Sequence, residues 1–177
     1  MKKRKNLPVL VLVSLIFLKF FCVPAYCEEK KTEEEQNHKA EALVLSCVDY
    51  RLTEDVANSL RAEGLAEKYD LISLAGGALA VVNDYFPFAR DTFWAHLALL
   101  KNIHHFQRVI IIDHRNCGMY KFVYNQDLSL NPEEEKRIHI HTAEKLVKEI
   151  QFKYPDLKVE TWLLDLNGKF EKTIPSS

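Results

Sequence analysis

The sequence predicts an α/β domain with a mainly parallel β-sheet flanked by helices. From Ala40 onward, short apolar runs bounded by turn residues alternate with segments of helical periodicity. Such alternation is typical of strands that are joined by crossover helices. The runs are apolar at nearly every position, as is usual for strands covered on both faces. A chain of 177 residues accommodates one such domain and is too short for two of full size.

Four strands are predicted, each from a short apolar run. The run Arg108–Asp113 is the clearest, because valine and isoleucine fill its interior. Gly76 and Gly77 end the second strand, and Asn167 and Gly168 form a turn after the last one. The predicted strands are 42–47, 69–74, 108–113 and 159–166.

Three helices are predicted between these strands. Glu54 and Asp55 stand in the first turn of the first helix, where the helix dipole favours acidic side chains. Apolar residues at helical spacing define the second helix. Pro132 is well placed in the first turn of the third. The predicted helices are 53–68, 88–103 and 132–152.

The N-terminus has the pattern of a secretory signal peptide over residues 1–25. This segment holds five basic residues and no acidic ones, contains the apolar run Leu7–Phe21, and ends on small residues at Ala25. Cleavage after Cys27 and an uncleaved anchor are the alternatives. The apolar run is too short and too interrupted for a stable membrane span of roughly 20 residues. We therefore expect an exported protein, periplasmic or secreted, with no stable membrane span after cleavage.

The chain that follows the leader is acidic. The whole sequence has 24 basic and 25 acidic residues; because five of the basic ones belong to the leader, 19 basic and 25 acidic residues remain. Residues 26–40 are predicted to form a charged linker, and residues 41–177 the domain. This balance gives no reason to expect a nucleic-acid partner.

Reactive side chains follow two of the predicted strands. Cys47, Asp49 and Arg51 come at the end of the first, and His114 and Cys117 follow the third. Sites in open α/β sheets form beyond the carboxyl ends of the strands, so neighbouring strands would bring all five together. Two thiolates and one imidazole suit zinc and leave a fourth position open for water or substrate. In an oxidising compartment, a Cys47–Cys117 disulfide is the alternative.

Asp49 and Arg51 alternate with Cys47, so an extended chain would place all three on one side. An arginine fork can hold a carboxylate through two hydrogen bonds and keep it ionised beside a metal. Asp49 would then be a fourth zinc ligand or a hydrogen-bond acceptor at the open position. A structural ion pair at the sheet edge is the alternative.

At these residues the chain resembles the β-class carbonic anhydrases. The segments CVDYR (47–51) and HRNCG (114–118) match the family's paired signature, Cys-x-Asp-x-Arg and His-x-x-Cys-Gly. The resemblance extends from about Leu43 to Leu166 and includes the order of strands and helices. The zinc ligands that it implies are Cys47, His114 and Cys117, and the catalytic dyad that it implies is Asp49 and Arg51.

The resemblance also implies an activity. It is the zinc-dependent, reversible hydration of CO2 to bicarbonate and a proton, by attack of zinc-bound hydroxide on the carbon. A homodimer or larger homo-oligomer is implied as well. Two alternatives stay open. One is a zinc hydrolase of a CO2-like substrate, such as carbonyl sulfide or carbon disulfide, and the other is a non-catalytic zinc-binding or thiol redox-sensing protein.

Two segments depart from the family's pattern. Ser73-Leu74 stands where the family usually has Arg-Asn, although the Ala75-Gly76 that follows matches. Asp113 stands where a glycine commonly precedes the histidine. These changes concern the substrate pocket and the subunit contacts and leave the zinc ligands intact. Because the Arg-Asn pair is missing, hydrolysis of a CO2-like substrate stays an alternative.

Three further residues carry expectations about packing. Gly118 is expected to let the backbone turn closely behind the ligand pair. His139 and His141 are two residues apart in a predicted helix and therefore face different sides of it. Both are expected at the surface or at an interface.

Overall fold

The computed structural model describes residues 39–174 of the chain. The predicted signal peptide, residues 1–25, lies outside the described residues, as do the linker up to residue 38 and residues 175–177. Among residues 39–174, no helix is long and apolar enough to cross a membrane.

The described strands form a single five-stranded sheet: β1 is Ala42–Ser46, β2 is Tyr69–Ser73, β3 is Arg108–His114, β4 is Lys158–Leu164 and β5 is Phe170–Ile174. Their spatial order is β2-β1-β3-β4-β5. Parallel pairing joins β1 to β2, β1 to β3, and β3 to β4, whereas β4 and β5 are antiparallel. The predicted α/β fold with a mainly parallel sheet is confirmed.

The C-terminal end of the sheet differs from the prediction of one last strand over 159–166. β4 ends at Leu164, and the chain turns and returns as β5. Oδ1 of Asp165 accepts hydrogen bonds from the backbone N–H groups of Asn167 and Lys169, at 2.8 and 2.9 Å, which closes the turn. β5 is a half-buried edge strand with charged residues in its interior, so it has no apolar run by which to predict it.

Five α-helices are described: α1 is Thr53–Ala62, α2 is Ala78–Val82, α3 is Pro87–His104, α4 is Gly118–Tyr124 and α5 is Pro132–Lys153. Tyr50–Leu52 and Leu128–Leu130 are short 3-10 helices. The predicted helices 88–103 and 132–152 correspond to α3 and α5 to within one residue at each end. The prediction does not contain α2 and α4. These helices have five and seven residues, too few to show a helical period.

The first helix is shorter than predicted, because α1 ends at Ala62 and not at Lys68. Gly64 follows with φ +78°, and the N–H of Leu65 bonds back to the carbonyl of Leu60 at 3.0 Å, as in a glycine-terminated helix. Leu65 is nevertheless 1% exposed. Its burial continues the apolar pattern past the end of α1, which explains why the predicted helix is too long.

Helices cover both faces of the sheet. Leu43 and Leu45 of β1 pack on one face, with buried side chains of α2, α3 and α5. Ala42 and Val44 pack on the other face, with buried side chains of α1 and of β4. Every residue of β1 is therefore buried, which accounts for a run that is apolar at nearly every position.

The register of β1 on β3 determines where the reactive residues meet. Ser46, the last residue of β1, pairs with Ile112 of β3. Cys47 therefore emerges at the same edge of the sheet as His114, the last residue of β3. The loop after β2 reaches this edge as well, because Ser46 also pairs with Ser73.

Substitution of Gly77 tests how closely the residues at this edge of the sheet are packed. It precedes α2 with φ +54°, and a Cβ there would overlap Oδ1 of Asp113. We expect Gly77→Ala to lower the free energy of unfolding by about 2–4 kcal/mol, because left-handed backbone strain and overpacking add together. Gly118→Ala is the matched control and should be neutral or slightly stabilising, since a Cβ there meets no atom within 4 Å. Urea unfolding of the metal-free proteins measures the free energy of unfolding of both variants. An equal decrease in the two would contradict the expectation.

Candidate metal centre

Three side chains with metal-ligating atoms converge at the carboxyl edge of β1 and β3. They are the only group of three or more such residues found among residues 39–174, and their ligand atoms all lie within 4.8 Å of one another. The two sulfur atoms are 4.0 Å apart and both thiols are free. The group consists of Cys47, His114 and Cys117.

The turn between His114 and Cys117 brings these two residues to the same side. Asn116 has φ +56°, a left-handed conformation that asparagine tolerates better than most residues. Its N–H donates to Oε1 of Glu135 at 2.6 Å, and the Glu135 side chain is 4% exposed. The turn is thus built by Asn116 and held by a buried carboxylate from α5. The expectation for Gly118 is wrong, because the space at its Cβ position is open.

The imidazole of His114 presents one nitrogen to the two sulfur atoms. Its Nδ1 lies 2.9 Å from the carbonyl oxygen of Arg115, which can only accept, so Nδ1 carries the proton and donates. Nε2 is buried and has no hydrogen-bond partner among the described residues. A buried nitrogen lone pair without a partner is costly, and a metal ion at this position would satisfy it.

The two thiols share a proton in the metal-free protein. The hydrogen bond with Cys117, against the raising effect of burial and together with His114 and the Gly76 N–H, lowers the pKa of Cys47 to about 4. The same hydrogen bond raises the pKa of Cys117, and burial adds to the effect. Burial lowers the pKa of His114, but its interaction with the negatively charged Cys47 sulfur raises the pKa overall. The pocket therefore gathers negative charge on sulfur beside an imidazole.

A backbone donor contributes to the same thiolate. The N–H of Gly76, in the turn after β2, lies 3.3 Å from Sγ of Cys47 and lowers its pKa. Gly76 has φ +92°, and a Cβ there would lie 2.7 Å from Cγ of Met119, so a side chain would not fit without displacing its neighbour. Gly76 therefore stabilises the Cys47 thiolate as well as forming the turn, and the sequence pattern indicates only the turn.

The arrangement fits a zinc ion. Ligands at about 2.3 Å from a tetrahedral ion lie roughly 3.8 Å apart, close to the observed 4.0 Å between the sulfurs. Two thiols and one unpartnered imidazole nitrogen are donors that zinc favours. Three protein ligands correspond to sites that keep a fourth position for water or substrate.

Asp49 and Arg51 form a bidentate ion pair beside this group. Nε of Arg51 donates to Oδ1 of Asp49 at 2.9 Å, and Nη2 donates to Oδ2 at 2.6 Å. These bonds lower the pKa of Asp49 to about 2, so the carboxyl group is ionised at neutral pH. Oδ2 lies 3.7 Å from Nε2 of His114. Nη2 of Arg51 also donates to the carbonyl of Asn116, at 3.1 Å, which ties the pair to the ligand turn.

The structure brings together all five residues that the sequence predicts for the site. It adds Gly76 and Glu135, which the sequence reasoning did not include. It also corrects His139, expected at the surface or an interface, which is 2% exposed, whereas His141 is exposed as expected. Glu135 and His139 lie four residues apart on the face of α5 that also carries Ala143, so the helical period could have indicated their burial.

Alkylation of Cys47 tests the electrostatics of the metal-free pocket. The thiolate is the reactive form, and a pKa of about 4 keeps Cys47 in that form throughout the neutral range. We expect its alkylation rate, followed residue by residue by mass spectrometry after chelation, to stay level from about pH 8 down to about pH 5.

Cys117→Ala provides the control, because it removes the hydrogen bond that lowers the pKa of Cys47 most. In this variant the rate should begin to fall at a distinctly higher pH. A wild-type rate that drops tenfold for each pH unit below about 8, as for an ordinary cysteine, would contradict the expectation.

The chain is similar in sequence to a bacterial protein and in structure to two solved enzymes. An uncharacterized protein of Rickettsia conorii is 33% identical over 141 residues, which cover 78% of this chain and 76% of that protein. A tetrameric β-carbonic anhydrase from Sordaria macrospora aligns with a TM-score of 0.47 at 15% identity, over 86% of this chain and 90% of that one. A carbon disulfide hydrolase aligns with a TM-score of 0.49 at 15% identity, over 83% and 89%.

A family model covers nearly all of the described chain. It carries the description "Putative carbonic anhydrase" and matches residues 37–173, a span that contains β1 to β4, all but the last residue of β5, and the whole Cys47–His114–Cys117 group. The chain therefore belongs to the carbonic anhydrase family that this model describes.

Proposed function

We propose that the protein is a zinc-dependent carbonic anhydrase, which interconverts CO2 and water with bicarbonate and a proton. The observation that carries the proposal is the unpartnered Nε2 of His114, buried beside two free thiols and 3.7 Å from an ionised carboxylate. Membership of the family supports it. CO2 is small and uncharged, so the site needs no charged group to anchor the substrate.

Cys47, His114 and Cys117 would hold the zinc ion. When bound, zinc acts as a Lewis acid and supplies a water-derived nucleophile near neutral pH. The chain fixes the ligands before the metal arrives: Arg115 orients the imidazole through its carbonyl, and Gly76 donates to the Cys47 sulfur. Such outer contacts keep ligand orientation and ligand basicity constant.

Asp49 would orient the reacting water and accept a hydrogen bond from it. Its carboxylate is kept ionised by Arg51, and both of its oxygens accept from the guanidinium group. Because this bidentate pair fixes the carboxylate, we assign Asp49 the role of acceptor at the open position in preference to that of a fourth ligand. Arg51 is held by the carbonyl of Asn116, so the acceptor and the ligand turn keep a constant separation.

We further propose a homodimer or larger homo-oligomer. Large apolar side chains are exposed in the single chain, among them Tyr50 at 87% and Phe88 at 82%. Exposed apolar surface of this kind is typical of subunit contacts. Tyr50 lies between Asp49 and Arg51 in the sequence, so a partner that covers it would also border the site. The leader pattern of residues 1–25 supports export to the periplasm or the medium.

Stopped-flow CO2 hydration tests the proposal. The protein should be purified under reducing conditions and its zinc content measured. We expect one zinc per chain and a hydration rate that rises toward alkaline pH, because two thiolates formally cancel the charge of the dication. A rate that stays flat from about pH 6 to 9 would count against this distribution of charge.

Two variants give the controls for this assay. Cys47→Ser should lose zinc together with hydration, since it removes a ligand. Asp49→Asn should retain zinc and slow hydration by about 100-fold, because the amide is a weaker acceptor that also carries hydrogen-bond donors. Zinc without hydration would overturn the proposal, and carbonyl sulfide and carbon disulfide are then the substrates to assay. A Cys47–Cys117 disulfide without zinc would overturn the metal site itself and favour a redox-sensing role.

A further inference from the structure

Asp113 is a buried carboxyl group that the proposed reaction does not use. It directly precedes His114 and is 4% exposed. Oδ1 accepts a hydrogen bond from the backbone N–H of Ala78 at 3.0 Å. Oδ2 accepts one from the hydroxyl of Tyr120 at 2.8 Å and lies 3.4 Å from Nδ1 of His139. The side chain thus joins β3 to three other segments.

The bond to Ala78 fixes the turn that supports Cys47. This turn has two consecutive glycines at positive φ, Gly76 at +92° and Gly77 at +54°, a conformation that glycine adopts at no steric cost. The N–H of Gly77 bonds to the carbonyl of Leu74 at 2.9 Å and closes the turn at one end. Asp113 holds the other end, two residues from the Gly76 N–H that donates to the Cys47 sulfur.

The bond to Tyr120 fixes the helix that follows Cys117. α4 begins at Gly118, so Tyr120 is three residues beyond the ligand, and its side chain is 1% exposed. Burial raises the pKa of Tyr120 well above its usual range, so the hydroxyl keeps its proton and donates. The ring also contacts the His139 ring, with the two centroids 3.8 Å apart and the ring planes inclined by 38°. Tyr120 therefore cannot move without breaking contacts with Asp113 and α5.

We propose that Asp113 is a positioning residue for the metal centre, holding the Cys47 turn through Ala78 and the Cys117 helix through Tyr120. It is part of the same strand as His114, so one side chain sets the relative positions of all three ligands. This role also accounts for Gly77, whose Cβ would occupy the place of the Asp113 carboxyl oxygen. The inference rests on the proposed function only in requiring that the three ligands bind zinc.

The test compares zinc affinity, measured by competition with a chromogenic chelator, in three variants of the full chain. Asp113→Ala should weaken zinc binding by about 10–100-fold, the usual cost of losing an outer partner of a metal ligand. Asp113→Asn should remain within about threefold of wild type, because an amide can accept from Ala78 and donate to the Tyr120 oxygen. Tyr120→Phe removes one of the two bonds and should cost about tenfold.

Leu146→Ala is the matched control for lost stability. Leu146 is fully buried in the core on α5 and belongs to the large cluster that does not include the metal ligands. It should lower the thermal midpoint of the metal-free protein and leave zinc affinity unchanged. A second readout is hydrogen exchange at the amides of Gly76, Gly77 and Ala78 in the metal-free protein. Protection there should be lost in Asp113→Ala and kept in Asp113→Asn and Leu146→Ala.

Each outcome bears on the inference. Wild-type zinc affinity in Asp113→Ala, or an equal loss in Leu146→Ala, would overturn it. If Asp113→Ala does not fold, Tyr120→Phe decides, and unchanged affinity in that variant is contrary to the inference. A wild-type chain that binds no zinc overturns this inference together with the proposed function. Zinc binding without CO2 hydration overturns the proposed function alone.

Discussion

The site depends on the parallel pairing of β1 with β3 at the centre of the sheet. The two cysteines are 70 residues apart in the chain, yet this pairing brings their sulfurs within 4.0 Å. Helices on both faces bury β1 completely, so its apolar side chains stabilise its place at the centre of the sheet beside β3. The hydrophobic effect that stabilises the sheet therefore also determines the position of the ligands.

Polar side chains inside this framework act on the loops, where the apolar core does not reach. Glu135 holds the turn between His114 and Cys117, and Asp113 holds the turn beside Cys47. Buried carboxyl groups are costly unless each oxygen has a partner, and both of these have partners on each oxygen. The ligand loops are consequently kept in place by groups that could not remain buried if the loops moved.

The five reactive residues could be predicted because each follows an apolar run that is unmistakable in the sequence. The supporting residues could not be predicted in the same way. Asp113 is the polar end of a buried strand, and its partners Ala78 and Tyr120 lie in helices too short to show a period. β5 was missed because an edge strand with charged residues has no apolar signal. Local patterns thus specify the elements, whereas the contacts between loops depend on the assembled fold.

X-ray absorption at the zinc edge of the purified, zinc-loaded protein tests the central claim most directly, since it counts the atoms around the ion. We expect two sulfurs at about 2.3 Å and two nitrogen or oxygen atoms at about 2.0–2.1 Å. Cys47→Ser, which is expected to lose the ion, would serve as the control for zinc bound elsewhere on the protein. A first shell with no sulfur, or with sulfur alone, would contradict a centre built from Cys47, His114 and Cys117.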